Sequence, residues 1–545
     1  MLTKTIQRIG RLAGRSGEPD WKAPLDALDE HVRKNERASR SGALRVLIGP
    51  SFAIYAPSYA LDRLLSYALR LRGIEVVPIY CDGIQRVECN YWGGAWVGRR
   101  TFKKNCAMCA KTSESLWRHG PEEPLRLSRF VSSVEIERIR NGLSGLGTND
   151  LLQYGQDGIS IGHLAKEILA NSYLVGNIEL IEGFQDLLRV HLENLLVVNL
   201  AYTRILDRVR PGRVISNDSY YGMWAIMEHH CKARGIPFYS HYPVTKNRVA
   251  FAHDDAAMNL DFTASWPEFS KLPLSPQDRE KIELWLEGAR GYMIDTTKLA
   301  GHEREEPVLG SIDPRKPAVV LAANVIWDLA ALNKQVLFKD MMDWIVQTLR
   351  WFGPRSDFQL IVRPHPAEVS PQIPQTRESV SSAIGASGVQ VPRNVFVLGA
   401  DAKITLTQLI DRFDVRGMAV HTSTVGFECA ALGLPVITTA RSPYRGFGFT
   451  TDPDSREDYF AAIERVLNAP RATTPESRRE LARKFIKFYQ FHYYADLGLF
   501  AGNPPQFKPD LMARLTRDDG PFGYVVNSIL QGLPINGTDR WLPES

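Results

Sequence analysis

The chain has 545 residues, 44% hydrophobic and 23% charged, with a formal net charge of +5. That length implies two or three domains, each able to bury its own core, and the composition excludes a disordered or low-complexity protein. A charge so small for the size is no nucleic-acid signature, and no apolar run approaches the roughly 20 residues of a membrane-spanning helix.

The N-terminus, "MLTKTIQRIGRLAGRSGEPDW", has no uninterrupted apolar stretch and is not read as a secretory signal. Leu2, Ile6, Ile9 and Leu12 share a helical face among Lys4, Arg8, Arg11 and Arg15, which gives a basic arm over 1–40. The chain therefore reads as cytoplasmic, with that arm a candidate for peripheral contact with the inner membrane.

The segment 41–265 reads as a first α/β domain. "ALRVLIGP" is a buried strand, "YALDRLLSYALRLRG" a helix closed by Gly73, and "IEVVPIYCDG" a second strand. Strand, helix and strand in about forty residues define a βαβ unit and hence a parallel sheet. The region 83–175 carries no clear alternation. It opens on a cysteine-rich insertion holding Cys81, Cys89, Cys106 and Cys109. The C-x-x-C of "CAMC" lets two thiolates reach one tetrahedral ion, and Cys81 and Cys89 could complete a structural zinc site. An iron–sulfur cluster and unligated thiols are the alternatives, while Cys231 and Cys429 fall in helical apolar patterns and read as core. After a long helical pattern through "LIEGFQDLLRVHLENLLVVNLAYTRILDRV", the strand "RPGRVISND" ends in Asn217 and Asp218, and "IPFYSHYP" carries His241. Asp218 and then His241 are the candidates for a general base.

A connecting segment, 266–316, leads to a second alternating region over 317–480, and a helix and tail over 481–545 follow. Ligands of open parallel sheets bind beyond the carboxyl ends of the strands. Three strand ends in the second region carry suitable groups. "LIVRPHP" ends in Arg363 and His365, a cation and an imidazole donor suited to phosphate oxygen. "AANVIWD" ends in Asn324 and Asp328, suited to hydroxyls. "VHTSTVGFECAALG" places Ser423 or Thr424 at a helix N-cap, where free N–H groups and the helix dipole favour an anion, or where the hydroxyls simply cap the helix. Gly426 is expected to leave room for a ligand, and Glu428, one turn on, to accept from ribose hydroxyls. The Gly-rich "YRGFGFT" at 444–450 offers aromatics for a base or sugar. No Walker A or G-x-G-x-x-G pattern supports ATP or NAD.

With "RPHP", "HTSTVGFECAALGLPVITTA" and "YRGFGFT" together, the sequence resembles the bacterial capsule polysaccharide biosynthesis family, GT-B glycosyltransferases that include the β-Kdo transferases. The match is good over 317–455 and vaguer over 45–265. The resemblance implies two Rossmann-like parallel-sheet domains facing each other across a cleft, with the nucleotide-sugar in the second and the acceptor in the first. It implies that His365, Ser423 and Thr424 hold the donor phosphate, that Glu428 lies near the nucleotide, and that transfer is metal-independent and needs no cofactor. The expected partners are a CMP-, UDP- or GDP-linked sugar and a glycan or glycolipid acceptor of a capsular or lipopolysaccharide. Similar strand-end chemistry occurs in CDP-glycerol glycerophosphotransferases of teichoic-acid synthesis, and UDP-GlcNAc 2-epimerases share the two-domain fold. A non-catalytic scaffold of a glycan export assembly is the rival of another class. The cysteine cluster and the basic arm stand outside the family's pattern.

Overall fold

A computed structural model describes residues 22–36, 44–53, 56–86, 89, 102–117, 123–217, 220–245, 248–288, 307–328, 331–371, 373–471, 474–501 and 506–536. The basic stretch of the N-terminal arm and Asp218 lie outside the described residues.

The expected α/β fold is present as two parallel-sheet units. In the first, β1 (Arg45–Ser51), β2 (Glu75–Tyr80), β3 (Leu125–Arg126), β4 (Arg213–Asn217) and β5 (Phe238–Thr245) run parallel, and β6 (Arg248–His253) turns back antiparallel on β5. The second contains β7 (Ala318–Ala322), β8 (Gln359–Arg363), β9 (Val395–Val397), β10 (Val415–Val420) and β11 (Val436–Thr438), all parallel, in the order β11-β10-β7-β8-β9. The C-terminal segment then returns to the first unit. There β12 (Tyr494–Asp496) pairs antiparallel with β6 and completes the order β12-β6-β5-β4-β1-β2-β3.

The strands are legible because both faces of each sheet are covered. Val46 and Ile48 pack under helix Ala56–Leu71, while Leu47 between them packs on the opposite side with helix Phe184–Val209. In β7, Val319 and Leu321 face one core and Ala318, Val320 and Ala322 the other. A strand buried on both faces needs a continuous Val/Ile/Leu run rather than alternation, which is how these segments read. The described residues of 83–175 include helices Phe102–Trp117, Ser133–Ser144, Thr148–Leu152 and Ile161–Tyr173 beside β3. Helix Phe184–Val209 is the long pattern seen in the sequence, and no helix among the described residues is long and apolar enough to cross a membrane.

The units meet where the loops after β7 and β8 press on the first unit. The Glu378 carboxylate accepts from the N–H groups of Gly176 (2.7 Å) and Asn177 (2.8 Å). Gly176 lies so close to Ile326 that a Cβ there would collide with that side chain. Leu174 packs with Val325, Trp327 and Ala367 in a small cluster spanning both units. Tyr220, three residues past the end of β4, donates to the Leu332 carbonyl (3.4 Å) in the loop after β7.

Candidate functional site

Strand register sets the site. Thr438, Val420, Ala322 and Arg363 lie opposite one another across β11, β10, β7 and β8. Two residues further on, Thr422, Asn324 and His365 stand at one level along the carboxyl edge. A bond across that edge fits the register: the buried Asn324 Oδ1 accepts from the Thr422 N–H at 3.2 Å. The edge thus gathers three of the sequence-predicted strand ends. Asp328 lies half-buried in the turn after β7, its carbonyl accepting from the N–H groups of Ala331 (2.8 Å) and Leu332 (3.0 Å).

His365 caps the short helix Pro366–Val369, its Nδ1 accepting from the Ala367 N–H at 3.1 Å. That bond places the imidazole proton on Nε2. Burial, reinforced by the neighbouring Arg363 charge, lowers its pKa to about 4, so the ring is neutral near pH 7 and presents Nε2–H as a fixed donor. Arg363 itself braces the fold: its guanidinium donates to the carbonyls of Gly399 (2.9 Å) and Ala402 (3.1 Å) in the loop after β9.

At the end of β10, Thr424 is the N-cap of helix Val425–Leu432, and its side chain makes no capping hydrogen bond. The Thr424 side chain therefore does not cap this helix. The Glu428 carboxylate one turn on lies close enough to the Thr424 hydroxyl for its pKa to be held down by it in part. Burial pushes the half-buried Glu428 up to about 7. Ser423 is half-buried, and its carbonyl accepts from the Tyr444 hydroxyl at 2.6 Å. The helix closes at Gly433, whose φ of 98° is a left-handed conformation that glycine adopts without strain.

Two expectations are corrected here. Gly426 was expected to make room for a ligand, but the space above it is filled by Tyr444: a Cβ would collide with the hydroxyl and stand 2.8 Å from ring carbon Cζ. The Gly-rich loop was expected to offer aromatics to a ligand, but Tyr444 and Phe449 are buried in the core and the half-buried Phe447 packs against it, stacked on Trp266 at 5.2 Å. Asp452 pins that loop, accepting from Thr438 Oγ1 (2.6 Å), Thr450 Oγ1 (2.7 Å) and the Gly446 N–H (2.8 Å). Replacing Gly426 with alanine is therefore expected to destabilise the protein by about 1–3 kcal/mol, as overpacking does. Urea unfolding checks this, and an unchanged midpoint would mean that Tyr444 gives way freely.

The first unit carries a buried polar cluster at the carboxyl ends of β1, β4 and β5. His241 Nε2 lies 2.7 Å from Asp62 Oδ1, and Asp62 Oδ2 accepts from Ser51 Oγ at 2.5 Å. Beside them Asn217 Oδ1 accepts from Ser58 Oγ at 2.6 Å. All five side chains are buried, and His241 Nδ1 has no hydrogen-bond partner. Asp62 gave no sequence signal, because an acid inside an amphipathic helix looks like an ordinary solvent-facing position.

The zinc expectation is not met among the described residues. All six cysteines are free, and no group of three or more His, Cys, Asp or Glu side chains is gathered as a metal site. Cys81 lies in the apolar core with Leu127 and Phe130, where burial pushes its thiol far above the ordinary range. Cys106 and Cys109 sit on helix Phe102–Trp117, Cys106 packing close to Gly83. Cys231 and Cys429 are buried, as expected.

No family model matches the chain, and no curated protein matches it. Among solved structures, the β-Kdo 2,4 transferase KpsC of Thermosulfurimonas dismutans aligns at 16% identity and a TM-score of 0.32, over 56% of this chain and 87% of that one. A UDP-GlcNAc 2-epimerase of Methanocaldococcus jannaschii, in complex with UDP-GlcNAc and UDP, aligns at 10% and 0.27, over 82% and 99%. The glycosyltransferase SsfS6 of Streptomyces sp. SF2575 aligns at 12% and 0.23, over 82% and 96%.

Proposed function

We propose that the protein is a GT-B-type glycosyltransferase that moves a sugar from a nucleotide-sugar to a glycan acceptor of a surface polysaccharide. The observation that carries this reading is the pairing, on one carboxyl edge, of a neutral His365 with Nε2–H as donor and a helix start whose N-cap side chain caps nothing. Both arrangements suit phosphate oxygens. When the bond between the anomeric carbon and the phosphate breaks, negative charge grows on the leaving phosphate. Fixed N–H donors there stabilise the transition state more than the ground state. Asn324 stands on this edge between Thr422 and His365, and Glu428 lies in the first turn of the helix that follows β10, where they suit sugar or ribose hydroxyls. The acceptor hydroxyl loses its proton as it attacks. His241 in the first unit is a candidate for that proton: Asp62 orients its ring and leaves the Nδ1 lone pair unpartnered, in a fully buried position that the acceptor hydroxyl would have to enter. Asp218 directly follows β4 and is the other candidate for that role.

The test is turnover: the purified chain with CMP-, UDP- and GDP-linked sugars and a capsular or lipopolysaccharide acceptor, with released nucleotide and product followed by mass spectrometry. A glycosylated acceptor supports the reading. A polyol phosphate on the product, obtained from a CDP-polyol, would replace it with phosphotransfer. No turnover of any donor, with no nucleotide bound, would leave the scaffold role.

A further inference from the structure

Lys334 is a buried cation without a counter-ion. The residue is 8% exposed, yet no carboxylate among the described residues comes within ion-pair distance of its ammonium. Nζ donates to Asn259 Oδ1 (2.9 Å), lies 3.5 Å from the Asn259 carbonyl oxygen, and faces the Tyr220 ring at 5.2 Å. The neighbouring acids are engaged elsewhere. Asp255 accepts from Asn259 Nδ2 on both oxygens (3.1 Å each). Asp261 accepts from the Thr263 N–H and hydroxyl, and Glu167 pairs with His163. The strongest charge beside Lys334 is another cation, Arg441, whose backbone N–H donates to the Lys334 carbonyl at 2.8 Å. Burial first, and then Arg441, lowers the Lys334 pKa to about 8. Arg441 is exposed, so the buried charge is that of Lys334 alone, and a buried ammonium with no carboxylate at ion-pair distance is a deficit that an anion would fill.

The position suits that anion. Backbone pairing of Gln335 with Ala440 and of Leu337 with Thr439 lays this segment along the carboxyl end of β11. That is the edge which also carries Thr422, Asn324 and His365. On the other side Tyr220 follows the carboxyl end of β4. Lys334 therefore stands in the seam where the carboxyl edges of the two sheets approach each other.

We propose that Lys334 is the counter-charge for a phosphate oxyanion bound in this seam, so that the anion site draws on groups from both units. The assignment of that phosphate to a nucleotide-sugar donor rests on the function proposed above. The oxyanion chemistry itself does not, and a free phosphate or an acidic acceptor group would meet the same cation.

The experiment is calorimetric titration of the full chain, wild type, Lys334→Met and His365→Ala, with inorganic pyrophosphate and with CMP, CDP, UDP and GDP. Methionine keeps the length and apolar stem while removing the charge. Wild type is expected to bind pyrophosphate, and Lys334→Met to bind it about 10–100-fold more weakly, the usual effect of losing a charged hydrogen-bond partner. A parallel weakening for one nucleotide identifies the donor as the source. Weakening for pyrophosphate alone, with no nucleotide bound, keeps the anion site and removes the donor reading. Unchanged binding of pyrophosphate and nucleotides to Lys334→Met, with His365→Ala weakened, overturns the role of Lys334 and leaves the donor reading intact. Should the variant not fold, amine acylation of the wild type answers the same question. Saturating pyrophosphate should slow labelling of Lys334 several-fold, and labelling at an unchanged rate overturns the proposal.

Discussion

Replacing His365 with alanine is expected to lower the rate of transfer by about 10²–10³-fold, the range for losing one fixed donor to a developing oxyanion. The effect should fall on kcat more than on KM, because the bond strengthens as charge moves onto the leaving phosphate. Alanine also removes the cap on Ala367, so part of the loss could come from a loosened strand end. His365→Asn separates the two effects. Its amide oxygen can still accept from the Ala367 N–H, as short polar side chains do at helix starts, but it carries no donor at the position of Nε2. The expected result is a stable protein that remains nearly inactive. Near wild-type turnover by both variants would remove His365 from the mechanism.

The second large effect is on stability. Helix Ala56–Leu71, which carries Ser58 and Asp62 of the first-unit cluster, is tied to helix Lys22–Asn35 by a buried ion pair of Arg63 and Asp29, each side chain 2% exposed. Arg63 also donates to the Tyr59 and Tyr67 hydroxyls at 3.0 and 3.1 Å and lies 5.5 Å from the Trp117 ring. Asp29→Ala leaves a guanidinium buried without its carboxylate and is expected to cost about 3–5 kcal/mol. The pair itself is not expected to be worth that much, because both charges were desolvated to make it. Replacing both partners with apolar residues, Asp29→Leu with Arg63→Met, should therefore recover most of the loss. Denaturant unfolding of the single and the double variant checks this. A single substitution costing under about 1 kcal/mol would show that water reaches the guanidinium.

What could be read from the sequence follows from what makes a signal local. Strands such as "AVVLA" and "QLIVR" announce themselves because burial on both faces demands an uninterrupted apolar run. The helix start after β10 could be placed because small hydroxyls and a glycine mark a strand-to-helix junction. Its mechanics could not, because the partner of Gly426 is Tyr444, eighteen residues on and folded back over it. Aromatics beside glycines in a loop look the same whether they face a ligand or a core. Asp62 meets His241 across 179 residues of chain, and Lys334 lies in an unremarkable polar turn whose meaning appears only when Asn259 and Tyr220 arrive from the other unit. The cysteine cluster shows the opposite limit. C-x-x-C spacing is a local signal, and on a helix it places Cys106 and Cys109 one turn apart, with no group of three metal-ligating side chains gathered around them among the described residues.

The central claim is that this carboxyl edge binds the phosphate of a nucleotide-linked sugar. A thermal-shift panel with CMP, CDP, UDP, GDP and ADP tests it most directly. A nucleotide present at about a hundred times its dissociation constant adds roughly 2.7 kcal/mol to the stability of the folded protein. The prediction is a clear rise in melting temperature with one of CMP, UDP or GDP, which His365→Ala abolishes. A flat panel, or a rise that His365→Ala leaves untouched, would contradict it.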